Sequence, residues 1–161
     1  MNMWRLDPAD LPGATHNAWF MAEYPEKQVE AAMWVNLFDQ IGYTVDGEPA
    51  VREDDIPEFV TVYRGCLPER IDGMSWTTSL ETAYWFASRW TKHGGKQLHV
   101  YRAEIPRDFV LAKVGGRSEN EVVIDTSQLD MDVEAEVVPE EELAPFKKAR
   151  EQEQMVSLGD L

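Results

Sequence analysis

The chain has 161 residues, enough for one domain around a single core. With 43% hydrophobic residues and six Trp, six Phe and five Tyr it is not a disordered composition, and no apolar run approaches the roughly 20 residues of a bilayer span. A net charge of −15 argues against a protein that grips nucleic-acid phosphates, and the lone Cys66 excludes an internal disulfide and a cysteine-based metal cluster.

Residues 1–15, with Pro8 and Pro12, read as an irregular lead-in. This stretch has no basic segment followed by an apolar core, so the expected location is the cytoplasm. A helix is predicted from about Pro25 to Ile41. Val29, Met33, Trp34, Leu37, Phe38 and Ile41 repeat at helical spacing, and Gly42 is a suitable stop. The polar segment 44–58 reads as a loop. "FVTVYRG" (59–65) is β-branched and aromatic and predicts a strand. After a loop, "SWTT" (75–78) predicts a short strand.

"SLETAYWFASRW" (79–90) predicts a helix. Thr78 and Glu81 have the spacing of a capping box, and Leu80, Ala83, Phe86, Ala87 and Trp90 share a face. Strands are predicted over 98–105, 109–114 and "ENEVVID" (119–125), with an edge strand over 133–138. A last helix is predicted over 139–154, acidic at its start and basic toward its end, with a frayed tail beyond it. From Glu119 onward, 13 acids stand against 3 bases, which predicts a solubilising acidic surface. The fold class expected is α+β, with a split, mostly antiparallel β-sheet core flanked by helices.

Common chemistries are poorly represented. His16, His93 and His99 lack metal-ligand spacing, so no metal is expected. There is no phosphate-binding glycine loop and no nucleophile elbow. Three features remain. Arg64 ends a strand just before Gly65, where a guanidinium forms a salt bridge or holds a phosphate. Thr77, Thr78 and Ser79 sit where a strand becomes a helix, where hydroxyls cap the helix or reach into a cleft. Glu119 and Glu121 flank one residue at a strand start, so alternation points both the same way. "VYR" occurs at 62–64 and again at 100–102, which leaves Arg102 as a second candidate for the strand-end arginine.

In this order, "VYRG", "GMSWTTSLETAYWFA" and "GRSENEVVID" resemble the R-S-E class of mono-ADP-ribosyltransferases. The resemblance covers residues 62–125, and the hydroxyl motif reads Thr77-Thr78-Ser79 where the family has Ser-Thr-Ser. It implies one ADP-ribosyltransferase-like domain over 1–161. Residues 1–58 would be an amino-terminal helical part, 59–138 the catalytic core and 139–161 an acidic helix and tail. It also implies NAD as substrate, an arginine of a target protein as acceptor, and no metal, membrane or nucleic acid. Glu121 would stabilise the ribosyl cation and Glu119 would orient and deprotonate the acceptor. Arg64 would hold the NAD phosphates and the Gly65 backbone would meet the nicotinamide amide. Thr77, Thr78 and Ser79 would organise the cleft floor and hydrogen-bond the catalytic carboxylate. Trp85 or Phe86 would stack on nicotinamide, Phe86 being the better core residue. Competing readings are an NAD glycohydrolase and an inactive acidic inhibitor or nucleic-acid mimic that docks on a basic partner.

Overall fold

A computed structural model describes residues 8–21, 31–90, 98–115 and 120–159. The first helix, α1 (Leu11–Met21), follows a 3-10 turn at Pro8–Asp10. Together they take up residues 8–15 of the expected irregular lead-in, whose residues 1–7 lie outside the described residues. Proline is tolerated in a first helical turn, where its missing N–H has no intrahelical partner, so Pro12 marks a helix start. The next helix, α2 (Ala31–Ile41), ends at Gly42 with φ +76°, the left-handed stop that the sequence predicts. It buries Trp34 and Phe38, but Met33, expected in the same stripe, is 52% exposed. Val29 lies outside the described residues.

The segment expected to be a loop holds a hairpin, β1 (Thr44–Val45) and β2 (Glu48–Pro49), and a single helical turn, α3 (Arg52–Asp55). The hairpin turns on Asp46 and Gly47, both at positive φ. Asp-Gly at a two-residue turn is a hairpin signal that was present in the sequence. The remaining elements are β3 (Phe59–Cys66), β4 (Ser75–Thr77), α4 (Leu80–Trp90), β5 (His99–Pro106), β6 (Val110–Val114) and β7 (Glu121–Ile124). They are followed by a helical turn α5 (Met131–Glu134), the edge strand β8 (Ala135–Val137) and the helix α6 (Glu140–Gly159). The last helix runs past the point where fraying was expected.

The class is α+β. The strands join in one continuous sheet, in the order β2-β1-β6-β7-β4-β3-β5-β8, rather than in a split one. β1 and β6 are parallel; the other pairs are antiparallel. Three-residue β4 is what closes the gap, pairing with β3 on one side and β7 on the other.

Successive residues of a strand face opposite ways. One face gathers Val60, Val62, Trp76, Ala103, Ile105, Val110, Val122 and Ile124 from five strands into a single core cluster. On the other face, Trp19 of α1 and Trp34 and Phe38 of α2 pack on Leu111, Ala112, Val114 and Val123. Beside them, Ala83 and Ala87 of α4 pack on Val100. Among the described residues, no helix is long and apolar enough to cross a membrane.

The cap of α4 is displaced by one residue from the expected box. Ser79 Oγ accepts a hydrogen bond from Thr82 N at 3.2 Å, while Thr78 is exposed. Removing an N-cap hydroxyl costs about 1 kcal/mol. Ser79→Ala should therefore lower the thermal midpoint by about 2–4 °C in a melting curve followed by circular dichroism.

Candidate functional site

The site forms where the exit of β4 runs beside the entry of β7. Thr77 pairs with Glu121 and Ser75 with Val123, so Ser75, Thr77, Glu121 and Val123 share one face of the sheet. Asn120 precedes β7 at φ +49°, a left-handed conformation that asparagine tolerates, and its carbonyl accepts from Thr78 N at 3.2 Å. The exit of β6 on the far side of β7 is anchored as well: Gly115 N donates to Asp46 Oδ1 at 2.8 Å.

Two donors converge on one carboxylate oxygen. Ser75 Oγ donates to Glu121 Oε1 at 2.5 Å, and Trp19 Nε1 donates to the same oxygen at 3.0 Å. Ser75 comes from the next strand, 46 residues away in sequence, and Trp19 from α1, 102 residues away.

Arg64 approaches from β3 on the opposite face. It pairs with Tyr101, whose ring lies in the core, whereas its neighbour Tyr63 pairs with Thr77 on the Glu121 face. Its Nη1 donates to the Ser75 carbonyl at 2.6 Å and its Nε to the Arg70 carbonyl at 3.0 Å. Gly73 makes room for it, since a Cβ there would sit 2.2 Å from Arg64 Nη2. Arg64 and Glu121 are thus tied to one residue. The backbone carbonyl of Ser75 accepts from the guanidinium, and the hydroxyl of Ser75 donates to the carboxylate. Burial pushes the nearby Cys66 thiol up in pKa, and Arg64 opposes that rise.

The remaining expected residues are distributed as follows. Thr77 Oγ1 accepts from Ser79 N at 3.1 Å, and Ser79 caps α4, so these hydroxyls organise the turn from strand to helix. The hydroxyl that donates to the glutamate is Ser75, two residues earlier. It lies inside the quoted motif segment and shares the strand parity of Thr77, which was the available signal. Trp19 had none, because nothing local links an amino-terminal helix to β7. Where Gly65 lacks a side chain, α4 comes close: a Cβ there would lie 2.4 Å from the Ala83 carbonyl and 2.8 Å from Ala87 N.

Glu119 lies outside the described residues. Of the strand expected over 119–125, the described part is β7, which starts at Glu121, with Asn120 left-handed before it. On α4, Trp85 is 47% exposed and Phe86 half-buried, their rings meeting edge-on at 5.4 Å.

Arg102, the alternative strand-end arginine, is held elsewhere. Its side chain binds Glu136 at 2.7 Å and Glu142 at 2.6 Å. These hydrogen bonds, that to Glu136 first, raise its pKa. It lines a shallow groove of about 340 Å³ with Thr61, Glu104, Val133, Glu134 and Glu136. That groove runs from β3 to β8, two strand spacings and more from β7, roughly 10 Å or beyond, and the hydrogen-bonded carboxylate is the better candidate for chemistry. Among the described residues, no group of three or more His, Cys, Asp or Glu is placed to hold a metal ion. Comparison with family models, curated proteins and solved structures returned no match.

Proposed function

We propose that this chain is an R-S-E class mono-ADP-ribosyltransferase, with the fold of that class, working in the cytoplasm. It would move ADP-ribose from NAD to an arginine side chain of a target protein. The observation that carries the reading is the connection of Arg64 to Glu121 through Ser75, with the guanidinium on the serine carbonyl and the carboxylate on its hydroxyl. Arg64 and Glu121 occur in the order of the motif that the sequence resembles, and Ser75 stands two residues before the Thr77-Thr78-Ser79 that takes the place of its Ser-Thr-Ser.

The chemistry suits a lone carboxylate. In NAD the bond between ribose C1′ and the nicotinamide nitrogen joins the sugar to a leaving group that is already cationic. When it breaks, the electron pair goes to the ring nitrogen and neutralises nicotinamide, so no general acid is needed. The sugar carbon becomes oxocarbenium-like, as in glycoside hydrolysis. A fixed carboxylate stabilises that developing charge most when it is already oriented. Glu121, with Oε1 held by two donors, meets this requirement. A guanidine nitrogen of the acceptor then bonds to C1′ and gives up a proton, with Glu119 the base in this proposal.

Arg64 acts in this proposal through the Ser75 carbonyl, and any phosphate contact must come from its guanidinium edge while Nε and Nη1 stay on Arg70 and Ser75. The test is incubation of the purified protein with NAD labelled in the adenylate portion, with and without bacterial lysate, following nicotinamide release and label on protein. Transfer predicts release together with label on a discrete protein band, discharged by reagents that cleave arginine-linked ADP-ribose. Release with no labelled protein would replace the transferase by a glycohydrolase. No release under any condition would remove the enzyme reading.

A further inference from the structure

The proposed reaction asks for a Glu121 carboxylate held in one orientation. A glutamate at the start of a strand has three side-chain torsions, and one serine hydroxyl from β4 holds one of its oxygens without fixing the carboxylate plane. The second donor comes from outside the sheet. Trp19 is 2% exposed, and its indole N–H reaches Glu121 Oε1 at 3.0 Å. A buried indole N–H requires an acceptor, but a backbone carbonyl would meet that requirement as well as a carboxylate does.

The ring carrying this donor is itself clamped. Trp34 meets it edge-on at 5.0 Å and 89°, and Phe38 at 5.7 Å and 74°, both from α2. The helix that carries it is seated on the β1–β2 turn, where a Cβ added at Gly47 would lie 3.0 Å from His16 Cβ. The direction of the indole N–H is therefore set by packing that involves α1, α2 and the hairpin.

We infer that Trp19 is a positioning residue for Glu121: the amino-terminal helices, through one indole N–H, complete the orientation of the carboxylate that β4 and β7 begin. This rests on the proposed transferase reading for its catalytic meaning, while the orienting contact is testable without any activity. Helices α1 and α2, outside the resemblance, then belong to the site rather than to an appended part.

Trp19→Phe removes the N–H and keeps an aromatic ring in the cluster. Ile105→Val, which trims a fully buried residue of the core cluster on the opposite face of the sheet, is the control for packing alone. Misplacing a catalytic group by a fraction of an ångström costs on the order of tenfold or more. Trp19→Phe should lower kcat for nicotinamide release by about tenfold at unchanged KM for NAD, whereas Ile105→Val should keep kcat within about twofold. Equal losses in both variants, or none in Trp19→Phe, would overturn the inference.

The second arm is spectroscopic and needs no substrate. In nitrogen-15 labelled protein, the indole N–H signal absent from Trp19→Phe is the Trp19 resonance. In Glu121→Ala it should move upfield and exchange faster with solvent than in the unmodified chain. A resonance that ignores the loss of Glu121 overturns the inference whether or not the chain cleaves NAD. If the resonance responds but no NAD is cleaved, the orienting contact stands and the transferase reading falls.

Discussion

Glu121→Gln should lower nicotinamide release from NAD by about 10²–10⁴-fold, the range seen when a preorganised charge or a general base is removed from an active site. The substitution is chosen because it preserves shape. A glutamine side chain still offers a carbonyl oxygen at Oε1, so the hydrogen bonds from Ser75 Oγ and Trp19 Nε1 survive. What it lacks is the negative charge that faces the developing ribosyl cation. A rate loss with an unchanged circular dichroism spectrum and melting point would locate the effect in the charge. A variant that releases nicotinamide at the original rate would show that Glu121 is not the catalytic carboxylate, whatever its hydrogen bonds. Binding to a basic partner should be indifferent to the change, which also separates the enzyme from the acidic-mimic reading.

Gly65→Ala should destabilise the fold by about 3 kcal/mol, at the upper end of the usual cost of forcing extra volume into a packed interior. The added methyl would sit 2.4 Å from the Ala83 carbonyl oxygen, 2.8 Å from Ala87 N and 3.0 Å from Ala87 Cβ. Two of these three contacts are helix backbone, which cannot rotate aside as a side-chain tip does. Relief requires α4 to lift from β3, which opens the cluster of Ala83, Ala87 and Val100. Urea unfolding measures it: the midpoint should fall while the slope with denaturant is kept. A midpoint within experimental error of the parent would mean that α4 does not lie this close to β3. Gly65 comes directly after Arg64, so the same packing that forbids a side chain also holds the arginine strand against the helix that follows Ser79.

The parts of the fold that local chemistry governs were legible in the sequence. β3, β5, β6 and the helices ending at Ile41 and Trp90 follow from side-chain period and from punctuation such as Gly42, all acting over a few residues. The hairpin at Asp46-Gly47 was equally local and was passed over because its strands are two residues each. The first helix was hidden by prolines that suit a helix start as well as a loop.

The candidate site divides along the same line. The order of motifs along the chain singles out a glutamate at 121, an arginine at 64 and a hydroxyl segment at 77–79. Which hydroxyl meets the glutamate is a matter of register. Thr77 stands opposite Glu121, and Ser75, one pleat further along the same face, is the residue whose hydroxyl reaches it. Which side Arg64 takes is a matter of strand parity, and it falls on the face away from the carboxylate. That Trp19 reaches Glu121 depends on how a helix packs across a sheet, over a separation of 102 residues. Period and punctuation act within one segment of chain, so the sequence by itself determined the class of fold and the residues worth watching. Hydrogen-bond partners across strands and layers depend on register and packing between distant segments, and only the tertiary structure decided those.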